Sequence, residues 1–82
     1  MNRTELEALG FVYADYLPRG TRYGAGELLV LLTARQTVRV YLPSASDLVE
    51  VSTGDLFAPL VHYAGPVRDV EELMQFVRGA LA

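Results

Sequence analysis

Few side chains in this sequence could perform catalytic chemistry, and the strongest candidate stands alone. His62 is the only histidine, the residue type that most often serves as a general base. Ser44, Ser46 and Ser52 lie in loop or strand contexts without the strand-to-helix turn of an activated serine, and there is no cysteine. The sequence predicts that His62 is packed or hydrogen-bonded, and that the protein is not an enzyme.

Two pairs of carboxylates have spacings that a metal ion could use. Asp47 with Glu50, and Asp69 with Glu72, are each three residues apart. The second pair is better explained by the capping of a helix that begins after Asp69. Structural zinc sites need clusters of cysteine and histidine, which this sequence lacks. We therefore expect neither a metal site nor a cofactor.

Residues 18–26 form a glycine-rich segment that also carries two arginines and a tyrosine. Glycine-rich loops can hold phosphate groups with their backbone amides. Here no Gly-Lys-Ser/Thr sequence ends the loop, and a strand follows it, so no helix dipole points at the loop. The sequence predicts a flexible connection. Within it, Arg19, Arg22 and Tyr23 are candidate contacts for the acidic groups or nucleotides of a partner.

The composition limits the class of protein more than the motifs do. The 82 residues predict one domain over 1–82, and a formal charge of −3 argues against a dedicated DNA-binding domain. The apolar content is 51%, above the usual range of about 45–50%, so a second copy or a partner is expected to cover some apolar surface. The longest apolar run, residues 28–32, is too short to span a bilayer, and the expected location is the cytoplasm.

Two helices are expected at the ends of the chain. Thr4 opens a capping box for a short helix over 4–9, which Gly10 would end in a left-handed conformation. Asp69 and Glu72 form a second capping box for a longer C-terminal helix. One face of that helix is apolar, with Val70, Leu73, Met74, Val77 and Leu81 at helical spacing.

The region between the helices has the pattern of an antiparallel meander. The predicted strands are residues 11–17, 27–33, 37–42 and 47–53. The second and third form a hairpin around a three-residue turn, 34–36. Pro59 makes 56–64 ambiguous, and any strand there would be short and at an edge. The predicted fold is α+β, a meander of three or four strands flanked by a short N-terminal and a longer C-terminal helix.

Alternation along the strands predicts one covered and one open face of the sheet. The second helix is expected to cover Val12, Ala14, Val38, Val40, Val49 and Val51. The other face would then present the candidate interface residues Tyr13, Leu29, Leu31, Arg39, Tyr41 and Glu50. An exposed apolar patch of this kind usually marks a binding site. In the alternative arrangement, the first helix or the 18–26 loop folds over this face and closes it.

These features favour a non-enzymatic protein-binding module that associates with itself, as a homodimer. Its size and its helix–meander–helix layout resemble those of small bacterial or phage accessory proteins. The alternative partner is single-stranded nucleic acid, bound by tyrosine and arginine of the sheet face and of the 18–26 loop, because such side chains can stack on bases and contact phosphates. That alternative is weaker because Arg39 is the only firmly basic residue on the face, with Asp15 and Glu50 nearby.

Overall fold

A five-stranded antiparallel sheet with both helices on one side forms the protein. The computed structural model describes all residues from Met1 to Ala82. The helices are α1 (Arg3–Ala8) and α2 (Val70–Leu81), and the strands are β1 (Val12–Tyr13), β2 (Gly26–Leu32), β3 (Thr37–Pro43), β4 (Leu48–Gly54) and β5 (Pro59–Pro66). Each strand pairs antiparallel with the next one along the chain. The predicted α+β meander between two helices is confirmed, with five strands instead of three or four.

The C-terminal helix α2 begins where its capping signal predicts. The Asp69 carboxylate accepts a hydrogen bond from the Glu72 amide at 2.9 Å, as an N-cap residue does. The Glu72 carboxylate accepts from the Arg68 amide at 3.0 Å. Leu73 and Val77 are fully buried between the helix and the sheet. Neither α1 nor α2 combines the length and the apolar character that crossing a membrane requires.

The N-terminal helix α1 starts from a different cap than predicted. Its N-cap is Asn2, whose side-chain oxygen accepts from the Glu5 amide at 3.0 Å. The prediction of Thr4 as the cap is wrong, because Asn2 is at least as favourable a cap and lies earlier in the chain. Thr4 consequently falls in the first turn of the helix. Gly10 follows the helix with a φ of +101°, the left-handed conformation expected of it.

The core fills the space between the two helices and one face of the sheet. Side chains alternate along each strand, so that one face of the sheet can be apolar throughout. The buried cluster comprises Leu6, Phe11, Leu29, Val38, Val40, Val49, Val51, Leu73, Val77 and Ala80. Phe76 of α2 also stacks on Tyr63 of β5, with ring centroids 3.8 Å apart. We call this side of the sheet the helix face and the opposite side the outer face.

The β2–β3 hairpin corrects the predicted placement of Leu29 and Leu31. Its connection has four residues, 33–36, and the first of them donates backbone and side-chain hydrogen bonds to the carbonyl of the last. Leu29 therefore pairs with Val40, which places it and Leu31 on the helix face. The predicted three-residue turn, 34–36, would shift the pairing of β2 with β3 by one residue from the observed register. A slip of one residue moves every side chain of a strand to the other face.

The first strand is shorter than predicted and faces the other way. Tyr13 pairs with Leu29 and lies on the helix face, where the Arg3 guanidinium is 3.7 Å from its ring centroid. Val12 points to the outer face and is 62% exposed, although the sequence predicted that α2 covers it. The prediction relied on Asp15 as an outward-facing member of the same strand. Because β1 ends at Tyr13, the alternation does not reach Asp15.

The segment that was ambiguous in the sequence contains β5, an edge strand of eight residues. Pro59 opens the strand, a position where the missing backbone amide is tolerated. A register shift between Val51 and Ser52 of β4 leaves His62 without a partner residue in that strand. The predicted edge position is confirmed, and the strand is longer than predicted.

Candidate functional site

Three of the predicted interface residues lie together in the middle of the outer face. Arg39 and Tyr41 project from β3, and Glu50 of β4 is the pairing partner of Tyr41. Ser52, the pairing partner of Arg39, belongs to the same group. The other three predicted residues, Tyr13, Leu29 and Leu31, lie on the helix face. The structure therefore divides the predicted interface between the two sides of the sheet.

Residues 14–25, the connection between β1 and β2, cross the outer face as a strap and close it. Tyr23 of the strap is buried. Its hydroxyl oxygen lies 3.0 Å from Ser52 Oγ, and its ring centroid lies 5.1 Å from that of Tyr41. Of the two arrangements considered from the sequence, the structure has the one in which the loop covers this face.

Polar contacts fasten the strap on either side of Tyr23. Arg22 Nη1 donates to Glu50 Oε1 at 2.9 Å. The Tyr41 hydroxyl donates to the Ala25 carbonyl at 2.8 Å and accepts from the Gly24 amide at 3.2 Å. The loop arginine and tyrosine that were predicted to contact a partner thus contact the protein's own sheet. The sequence contains the complementary groups, Glu50 and Ser52 of β4, but it did not show that the strap would reach them.

The tip of the strap leaves one cation free. Arg19 is exposed and forms neither an ion pair nor a side-chain hydrogen bond. Next to it, the strap lies against the β4–β5 connection. Gly20 is close enough to Phe57 that a side-chain Cβ at position 20 would lie 3.7 Å from the ring. Of the three predicted loop contacts, Tyr23 is buried, Arg22 is exposed but paired with Glu50, and Arg19 is exposed and unpaired.

Arg39 is enclosed beneath the strap, which sequence reasoning missed. Its side chain is on the predicted face, but only 6% of the residue is exposed. Nη2 donates to the Gly54 carbonyl. Nη1 is buried and has no hydrogen-bond partner. A buried guanidinium with one unpaired nitrogen is unusual because buried polar groups are nearly always hydrogen-bonded.

His62 is exposed on β5 and forms a hydrogen bond that the sequence did not reveal. Its Nε2 lies 2.7 Å from Thr53 Oγ1. No protein group binds the other ring nitrogen, so the third group that orients the base in a catalytic triad is missing from this pair. Ser52, the nearest serine in β4, is hydrogen-bonded to Tyr23 instead. The arrangement is that of a hydrogen-bonded histidine.

The free edge of β5 and the connection before it carry three exposed apolar side chains. Phe57 is 55% exposed, Leu60 is 64% exposed and Val61 is 39% exposed. Leu60 and Val61 are neighbours in β5 and project from opposite faces of the sheet, and Phe57 lies in the connection that leads into the strand. Only β4 pairs with β5, so the opposite edge presents unpaired backbone groups to solvent. The sequence signal for this edge was the position of Pro59.

A cleft of about 580 Å³ lies beside the β3–β4 connection, where β2 begins and β5 ends. Its lining is mixed, with Glu27, Asp47, Ser44 and Leu48 among the residues that form it. No three histidine, aspartate or glutamate side chains come close enough together to hold a metal ion. The carboxylate that was paired with Asp47 in the sequence, Glu50, binds Arg22 instead.

Comparisons of the chain with models of protein families, with curated proteins and with solved structures find no match. Function is therefore inferred from the exposure, the charge and the contacts of the chain's own residues. By those criteria the β5 edge and the buried Arg39 are the two sites that call for an explanation.

Proposed function

We propose that the protein is a non-enzymatic protein-binding module that associates with a second copy of itself through the free edge of β5. The observation that carries this proposal is the unpaired edge of β5 together with the exposed apolar side chains on it and beside it, Leu60, Val61 and Phe57. An edge strand with unpaired backbone groups and apolar side chains is a template for pairing with another strand.

The composition of β5 suits strand pairing. The eight residues from Pro59 to Pro66 include no lysine, arginine, aspartate or glutamate, although charged side chains are a common means of protecting an edge. The two prolines lie at the ends of the strand, so those amides between them that point away from β4 remain available for pairing. The interaction would combine main-chain hydrogen bonds with burial of the exposed leucine and valine.

A second copy is the occupant that we propose, because antiparallel pairing of a strand with itself closes on a two-fold axis. Each subunit would contribute the same apolar side chains, and the two five-stranded sheets would form one continuous sheet. The apolar content of 51% supports such an arrangement, since it exceeds the usual range of about 45–50%. The proposal keeps the cytoplasmic location expected from the sequence.

The strap changes where association is expected. The interface deduced from the sequence used the outer face, and the alternative of single-stranded nucleic acid used the same face together with the 18–26 loop. The strap covers that face through Arg22 and Tyr23. No contact of this kind covers Leu60 and Val61 of β5, which are exposed, and the proposal moves to that edge for this reason.

The test is the solution mass of the wild type and of a Leu60→Lys/Val61→Lys variant, measured by light scattering over a dilution series. We expect the wild type to reach twice the chain mass of 9.0 kDa and the variant to remain at the chain mass. Like charges opposite each other across a strand pair are destabilising. Both side chains are exposed, so the variant should fold with an unchanged circular dichroism spectrum.

Leu32→Lys is the matched control. Leu32 is 72% exposed, but it lies at the end of β2 and not on β5. This variant should associate like the wild type. A wild type that stays at the chain mass at every concentration contradicts self-association. A dimer that survives the double substitution but is lost in the Leu32 variant places the interface elsewhere.

A further inference from the structure

We propose that the buried guanidinium of Arg39 is a binding site for an oxyanion, a phosphate or carboxylate group that enters beneath the strap. Arg39 lies in the middle of β3 and is 6% exposed. Of its two terminal nitrogens, Nη2 is bound to the Gly54 carbonyl and Nη1 is buried without a partner. Arg39 therefore has one buried donor, Nη1, and a positive charge that an anionic acceptor could bind.

No carboxylate of the chain compensates this charge. The four ion pairs of the structure all involve other cations. Glu50, the one carboxylate on the outer face of the strands, binds Arg22 at 2.9 Å. Asp55 follows the residue whose carbonyl Arg39 binds, but its carboxylate accepts from the Phe57 amide at 2.9 Å. Buried charges are ordinarily paired because an uncompensated charge is costly to remove from water.

The missing partner must supply charge as well as a hydrogen bond. A water molecule could accept a hydrogen bond from Nη1, but it would leave the positive charge of Arg39 uncompensated. An oxyanion satisfies both requirements, because it accepts the hydrogen bond and also neutralises the guanidinium charge. Guanidinium groups are also the preferred protein ligands of carboxylate and phosphate. These considerations favour an anion at this position.

The strap controls access to the site. Ser52 pairs with Arg39 across the β3–β4 ladder, and its hydroxyl holds Tyr23 of the strap. An anion can reach Nη1 only when the strap moves away, because the nitrogen is closed to solvent. The apparent affinity of such a site is reduced by the fraction of molecules in which the strap is open. Anion binding and strap opening are therefore coupled.

The experiment measures thermal unfolding with increasing inorganic phosphate or acetate, and with chloride at matched ionic strength as the reference. At a ligand concentration ten times Kd, the folded-to-unfolded ratio should rise about eleven-fold. Arg39→Met keeps the aliphatic stem and removes the charge, so this gain should disappear. Arg35→Met, at an exposed arginine of the β2–β3 connection, should retain it. A response to phosphate alone, to acetate alone or to both identifies the class of oxyanion.

A second measurement does not depend on the folding of a variant. In the wild type, the side-chain NMR resonance of Arg39 Nε should shift when the anion is added, and that of Arg35 should not. Absence of both the shift and the stabilisation relative to chloride overturns the proposal. So does an Arg39→Met variant that responds as the wild type does.

The role of the strap has its own test. Ser52→Ala removes the hydrogen bond to Tyr23 without removing a cation, so it should favour the open strap and lower the apparent Kd for the anion. A Kd that is unchanged or higher in this variant contradicts access beneath the strap.

Discussion

Substitution of Gly26 by alanine should disturb the pairing of β2 with β3, at a cost in stability that the structure allows us to estimate. Gly26 follows the strap and begins β2 with a φ of +144°. A Cβ at this position would lie 2.5 Å from the Leu42 carbonyl oxygen and 2.9 Å from Pro43 Cα. Both contacts are with the backbone of β3, the pairing partner of β2, so neither can be relieved by rotation of a side chain.

Two effects set the magnitude. A non-glycine residue in such a conformation costs about 1–3 kcal/mol, and forcing extra volume into a packed site costs about 1–3 kcal/mol. Together we expect a loss of about 2–6 kcal/mol. A chain of 82 residues has a free energy of unfolding of about 4–12 kcal/mol. The substitution should therefore remove a large part of the stability.

Urea unfolding followed by circular dichroism is the assay, and Gly24→Ala is the matched control. Gly24 lies in the same strap, but a Cβ there would meet no atom within 4 Å and its φ is not positive. That control should be neutral or more stable by about 0.4–1 kcal/mol, through the entropy of the unfolded chain. A Gly26→Ala variant within about 0.5 kcal/mol of the wild type would refute the reasoning, and so would equal losses in the two variants.

Two further substitutions test the two sides of the sheet by urea unfolding. Leu73→Ala removes a fully buried α2 side chain and should cost about 2–5 kcal/mol. Glu71→Ala, on the exposed face of the same helix, should change the stability by less than about 0.5 kcal/mol. Equal effects of the two substitutions would contradict the orientation of the helix. Tyr23→Phe leaves the buried Ser52 hydroxyl without its partner and should cost about 1–3 kcal/mol. Adding Ser52→Ala should recover part of that loss, and a double variant as unstable as the sum of the two single variants would exclude the pairing.

The elements that could be predicted from the sequence are those fixed by local chemistry. The start of α2 follows from Asp69 and from the apolar spacing that buries Leu73 and Val77. The alternation in β3 also assigns Val38 and Val40 to the helix face correctly. In these places the backbone hydrogen bonds and the apolar pattern point to the same structure, so no information from distant parts of the chain is needed.

The errors of face arose in β1 and β2, where the local pattern could not decide which side of the strand faces the core. Leu29 and Leu31 belong to a strand that is apolar at every position from 28 to 32, so alternation could not decide which side faces the core. The decision fell to the length of the turn, four residues and not three. A turn that differs by one residue reverses the assignment of the whole strand.

The candidate sites depend on contacts between distant residues. Tyr23 and Ser52 are 29 positions apart, and no periodic pattern in the strap indicates that they are in contact. Arg39 was placed on the correct face because polar and apolar residues alternate in β3. Its burial could not be predicted, since it results from a loop that the composition describes only as glycine-rich. The β5 edge was anticipated in position because Pro59 restricts a strand to such sites.

The unequal lengths of the connections imply an order of assembly. The three connections between β2 and β5 have four residues each, while the strap has twelve, and loop-closure entropy makes the strap about 1 kcal/mol more expensive to close than each of the others. Strands β2 to β5 pair only with chain neighbours, and such local contacts form early in folding. We expect the strap to pack on the sheet after strands β2 to β5 have paired. The charge of Arg39 then stays hydrated through most of the folding reaction and loses its water only in the last step.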